Sequence, residues 1–71
     1  MQQDISFVLD TDNIALCDLL KITSVANSGG QAKMMITSGL VSRNNIIETR
    51  KTAKIKAGDI IKLKGITINV H

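Results

Sequence analysis

Ser28-Gly29-Gly30-Gln31-Ala32-Lys33, near the middle of the 71-residue sequence, has the residue types and the spacing to hold an anion. Ser28 is a good helix N-cap, and Gln31 stands three residues later, the spacing of a capping box. The first amides of a helix have no partner within it, and the aligned peptide dipoles add positive potential there. Gly29 and Gly30 leave those amides bare to a bulky anion. Lys33 follows Gly30 by three residues and Gly29 by four, so helical geometry puts its ammonium on their face. Two amides and an ammonium on one face make a cradle for phosphate. The plainer alternative is that the glycines permit a tight turn between helices and Lys33 is a solvated surface residue.

A second basic group follows. Arg43 lies beside a hairpin signal at Asn44-Asn45, and Arg50, Lys51, Lys54 and Lys56 occupy the stretch after it. Such a series can track a phosphate backbone, or it can be a solvated loop. Lys62 and Lys64 alternate with Ile61 and Leu63 and read as outward residues that protect an edge. The charge is unevenly distributed. Residues 1–20 hold Asp4, Asp10, Asp12 and Asp18 and no base, while residues 21–71 hold all nine bases against Glu48 and Asp59, a surplus of seven. A basic body of this kind points to a polyanionic partner.

Other chemistries have little material. His71, the only histidine, is the last residue, and the one cysteine, Cys17, falls inside a helical pattern where a small core hydrophobe is expected. A single cysteine forms no internal disulfide and no cysteine-based zinc site. No carboxylate pair, metal-ligand cluster or Walker-type loop is present, so no enzyme activity, cofactor or metal is expected. Phe7 is the sole aromatic residue. Proteins that stack bases need several aromatics, so a nucleic-acid partner here must be read through shape, phosphate and 2′-hydroxyl groups. No apolar run approaches a membrane span. The start, "MQQDISFVLD", lacks the features of a secretory signal, so a cytoplasmic location is expected.

The elements that must position these residues follow from periodicity. Ile5–Leu9 has strand composition with poor alternation, as either a short edge strand or an ordered arm. Leu16, Leu19, Leu20 and Thr23 recur at i, i+3, i+4 and i+7, which predicts a helix over 15–23. Ser28 starts a second helix that runs to about Ser38, with Ala32, Met35 and Ile36 inward and Gly39 as its left-handed stop. Two short helices joined by a tight turn form an αα unit. "LVSR-NN-IIETR" predicts a hairpin, because Asn44 and Asn45 tolerate positive φ. Turns at Lys56–Asp59 and Gly65 delimit two further strands, the last with Ile66, Ile68 and Val70 on one face and Thr67 and Asn69 on the other. The expected fold is therefore α+β: an αα unit packed on a small antiparallel sheet, in a single domain over 1–71.

"SGGQAKMMITSGLVSRNNIIETRK…KIKAGDII" resembles the RNA-binding domain of the ribosomal protein S-four type, the alpha-L motif. The family pattern opens its second helix with a serine and a small or basic residue, continues to an alanine, an apolar pair and a glycine, then "V-x-V-N-G" and later "G-D-x-I". Ser28, Gly29, Ala32, Met35-Ile36, Gly39, Val41, Asn44 and Gly58–Ile61 match it. The wording is most like that of the small stand-alone bacterial members of the YbcJ/YaaA type. The motif covers about 15–64. The resemblance implies non-catalytic binding of structured RNA, of the ribosomal or transfer RNA class, through the two helices and the hairpin. Carried over by position, it implicates Ser28, Gly29, Gly30, Gln31, Lys33, Arg43, Asn44, Arg50, Lys51 and Lys54. It also implies association with the ribosome, and a monomer is expected. Arg43 and Asn45 depart from "V-x-V-N-G", which leaves the turn type open. A module that docks on a ribosomal or enzyme partner through the sheet is the alternative.

Overall fold

The computed structural model describes residues 2–71. Strand β1 is Gln3–Phe7, β2 is Ile14–Ala15, helix α1 is Leu16–Ile22 and helix α2 is Gly29–Thr37. Strands β3 (Ser42–Arg43), β4 (Ile46–Ile47), β5 (Lys54–Ile55), β6 (Ile60–Leu63) and β7 (Ile66–Val70) follow. Both helices form within a residue or two of the spans that their apolar periodicity predicts. Leu16, Leu19 and Leu20 of α1 and Ala32 and Ile36 of α2 are buried, and they meet Val41, Ile55, Ile61 and Ile68 in one core. Each fully buried Leu or Ile in it contributes about 1.5–3 kcal/mol of transfer free energy.

Local sequence fixes the ends of α2. Ser28 Oγ accepts from Gln31 N at 3.1 Å, the cap that the spacing predicted, while Gln31 Oε1 accepts from Asn27 N at 2.6 Å, one residue before the Ser28 amide that a capping box engages. At the other end Gly39 has φ +80°. Its N–H donates to Ile36 O at 3.1 Å and that of Leu40 donates to Met35 O at 3.3 Å, the paired bonds of a Schellman stop. The hairpin turn is also resolved. Asn44 and Asn45 have φ +52° and +70°, so both central residues are left-handed, as a type I′ turn requires. Asparagine thus does at position 45 what the family pattern assigns to glycine.

The fold class is α+β as expected, but the sheet is mixed. Its order is β1-β7-β6-β3-β4, and β1 runs parallel to β7 while every other pair in it is antiparallel. Hairpin signals reveal only pairings between strands adjacent in sequence. β1 has no such partner and joins the far end of the chain, so nothing local in its sequence fixed its direction. This also settles the alternatives for the first segment: it is an edge strand, two residues earlier than its composition suggested. With neighbours on both sides, β7 leaves Thr67 only 9% exposed although it stands on the side away from the core. A second, two-stranded ladder of β2 and β5, not foreseen from sequence, ties Ile14 to Ile55. His71 is tied as well, donating its N–H to Phe7 O at 2.9 Å and accepting from Leu9 N at 2.8 Å.

Candidate anion-binding surface

The predicted basic residues separate into two stations near opposite ends of α1. One station is the start of α2. It is held against the end of α1 by the bond from Ala26 N to Leu20 O, 3.0 Å. Gln31 N is taken by the Ser28 cap and Ala32 N donates to Ser28 O at 3.0 Å. The amides of Gly29 and Gly30 have no acceptor among the described residues. A Cβ built on Gly29 meets nothing within 4 Å, and one on Gly30 meets only Ser28 Oγ at 3.9 Å. Neither glycine has a positive φ. Backbone angle and crowding therefore explain neither residue. Lys33 is exposed one turn on.

The other station adjoins the start of α1. That helix has no side-chain cap. Its first amides are satisfied instead by the loop after the hairpin: Leu16 N donates to Ala53 O at 2.9 Å and Cys17 N to Lys51 O at 3.0 Å. These bonds fix the 51–53 segment, and Arg43, Arg50, Lys54 and Lys56 line a shallow groove of about 430 Å3 beside it. Lys51 is exposed nearby.

The two arginines differ from the lysines in being engaged. Asp59 Oδ2 accepts from Arg43 Nε at 3.1 Å and Nη2 at 2.8 Å, and its Oδ1 accepts from Asn44 Nδ2 at 3.1 Å. Lys56 N donates to the same carboxylate at 2.8 Å, and Asn44 Oδ1 accepts from Ile60 N at 2.9 Å. Burial raises the Asp59 pKa, but these donors outweigh it, so the carboxyl lies below the usual aspartate value. Arg43 and Asn44 thus form the brace between the hairpin and β6. Arg50 pairs with Glu48 at 3.2 Å, and its hydrogen bond holds the Glu48 carboxyl below its ordinary value. The Arg50 side chain is still 75% exposed, so this pair is a loose surface contact.

Asp59 is the residue that reading the sequence undervalued. The signal was present: Glu48 and Asp59 are the only acids among the nine bases, and each is matched to one of the two arginines. None of the seven lysines, Lys21, Lys33, Lys51, Lys54, Lys56, Lys62 and Lys64, forms a salt bridge among the described residues. Cys17, by contrast, is a buried core residue as its position in α1 suggested. Among the described residues no helix is long and apolar enough to cross a membrane.

Comparison with known proteins gives one consistent result. The S4 domain model matches residues 7–71. Escherichia coli YbcJ, whose provisional name assigns it RNA binding, is 41% identical over 58 residues, covering 82% of this chain and 83% of that protein. Bacillus subtilis RlbA, provisionally named for ribosome maturation, is 33% identical over 57 residues, covering 80% of each. The solution structure of Escherichia coli YbcJ, described as revealing an alpha-L motif involved in RNA binding, superposes with a TM-score of 0.74 at 38% identity. It covers 99% of this chain and 90% of that one. This chain belongs to the S4 domain family.

Proposed function

We propose that this chain is a single RNA-binding domain that binds structured RNA of the ribosomal or transfer RNA class and performs no reaction on it. The observation that carries the reading is the glycine pair at the start of α2. The fold needs neither glycine, and each costs the helix up to about 1 kcal/mol relative to alanine. The return lies outside the fold, in two bare amides open to a phosphate. Ser28, Gly29, Gly30, Gln31 and Lys33 form one contact station, and Arg50, Lys51 and Lys54 form the other with Lys56. Arg43 shapes the second groove from its wall, and Asn44 helps hold Asp59, the partner of Arg43. The named roles of the YbcJ and RlbA relatives favour RNA, and the latter favours a ribosomal particle as the place where it is met. The chain acts there as a cytoplasmic monomer.

The test is binding of a ribosomal RNA hairpin and of poly-uridine as salt is raised from roughly 50 to 200 mM. About five phosphate contacts predict a fall in hairpin affinity of roughly two to three orders of magnitude through counterion release. With no aromatic platform, the hairpin should bind better than the single strand. A flat salt response, or a preference for poly-uridine, overturns the reading.

A further inference from the structure

We propose that the outer face of the sheet carries a second docking site, a groove that takes an extended acidic segment of a partner protein. The strand register defines this face. Ile47, Ser42, Lys62, Thr67 and Asp4 stand side by side across β4, β3, β6, β7 and β1. The next row, from Ile46 and Arg43 to Ile61, Ile68 and Ile5, points to the opposite side, where Ile61 and Ile68 meet the helices in the core. The basic groove walled by Arg43 belongs to that opposite side. The outer row looks away from it.

A depression of about 300 Å3 lies on the outer face, bounded by Leu40, Ser42, Ile47, Lys62, Lys64 and Thr67. Ile47 is 59% exposed and Leu40 41%. Two exposed apolar side chains beside a depression offer a foothold for the side chains of an extended partner. The cations beside them are uncommitted. Lys62 Nζ reaches only Asn45 Oδ1 at 3.4 Å, and Lys64 has no side-chain partner among the described residues. Apolar positions bordered by unpaired ammonium groups complement a chain in which apolar side chains alternate with carboxylates. Period-two alternation in an extended segment delivers that pattern, one set inward and the other toward Lys62 and Lys64.

The alternatives fit less well. RNA gains nothing from the apolar half of the groove, and no aromatic side chain lines it for a base to stack on. A second copy centred on this depression would bring its own Lys62 and Lys64 against these, like charge on like, because Asp4, the carboxylate of the same row, stands on β1 outside the depression. Strand pairing at the β4 edge has little template, since β4 is two residues long.

The experiment titrates a short peptide alternating glutamate with leucine into the full chain and follows backbone amide resonances, with and without the ribosomal RNA hairpin. The amides of Ser42, Ile47, Lys62 and Thr67 should move while those of Gly30 and Lys54 stay, and peptide and RNA should bind together. Lys62→Glu and Ile47→Ser, both on the surface, should each weaken the peptide about tenfold or more, the scale of a central interface contact. Three results overturn the proposal. They are equal binding of a peptide alternating lysine with leucine, displacement of the glutamate peptide by the RNA hairpin, and a shift of the same resonances on concentrating the chain alone. Failure here leaves the salt dependence of RNA binding standing, so the two readings fall separately.

Discussion

The start of α2 and the β3–β4 hairpin are both rich in polar groups, and they use them in opposite ways. At the hairpin, Asp59 gathers donors from Arg43, Asn44 and Lys56, so the polar groups there are spent on the fold. At the helix start, the Ser28–Gln31 cap satisfies one amide and leaves those of Gly29 and Gly30 open, in a place where nothing crowds a visitor. A basic residue in the sequence is thus not the same as an available charge. The difference predicts that damage at the hairpin registers in stability and damage at the helix start registers in binding.

The largest effect is expected at Asp59. Asp59→Ala removes four hydrogen-bond acceptances and leaves the half-buried Arg43 unpaired, which should lower stability by about 2–3 kcal/mol, read by thermal or urea unfolding. The same carboxylate sets an acid dependence. Its folded pKa lies below its unfolded value, so the folded state binds fewer protons in that interval. The stability it contributes is complete above the ordinary aspartate pKa of about 3.9 and is lost as pH falls through that value and below. Asp59→Asn should therefore unfold at a lower temperature near neutrality and decline less steeply in acid than the parent. Equal acid slopes would remove Asp59 from its place as the hairpin's anchor.

Next comes a pair of charge changes that separates the two regions. Gly30→Glu puts bulk and negative charge where the proposed phosphate sits, yet a carboxylate in a first helical turn is favourable, so the variant should fold as well as the parent. Lys62→Glu, on the outer sheet face, makes the larger change in net charge. If the open amides matter, Gly30→Glu loses about tenfold or more in RNA affinity and Lys62→Glu loses less. Lys33→Ala should fall between them and reduce the salt slope by about one unit. Equal losses from the two glutamates would reduce the glycines to a turn.

How much of this was legible in the sequence follows the range of the interactions involved. The helices, the Ser28 cap, the Gly39 stop and the positive φ at Asn44 and Asn45 depend on residues within about five positions of each other, and each was visible. The parallel partnership of β1 with β7 and the small β2–β5 ladder join distant segments through backbone bonds that no side-chain pattern announces. The candidate surface divides the same way. The glycine pair and Lys33 were readable from helical spacing alone. The capture of Arg43 by Asp59, sixteen residues away, was not, and so a residue read as a phosphate contact emerges as part of a brace.

The smallest expected effect is the sharpest test of the comparison. Gly30→Ala adds one methyl group at a position with helical angles, where the nearest atom is Ser28 Oγ at 3.9 Å, an ordinary contact. If the fold had chosen glycine for its own sake, alanine would destabilise. Nothing in the geometry supports that, and alanine reduces the entropy lost on ordering the helix. Melting should therefore show stability unchanged or raised by up to about 1 kcal/mol. Binding should move the other way, because the new methyl stands beside the amide that a phosphate oxygen must approach. A modest affinity loss in a protein at least as stable as its parent is a result that only an external ligand explains. A destabilised variant with unchanged affinity would instead return the glycines to the turn.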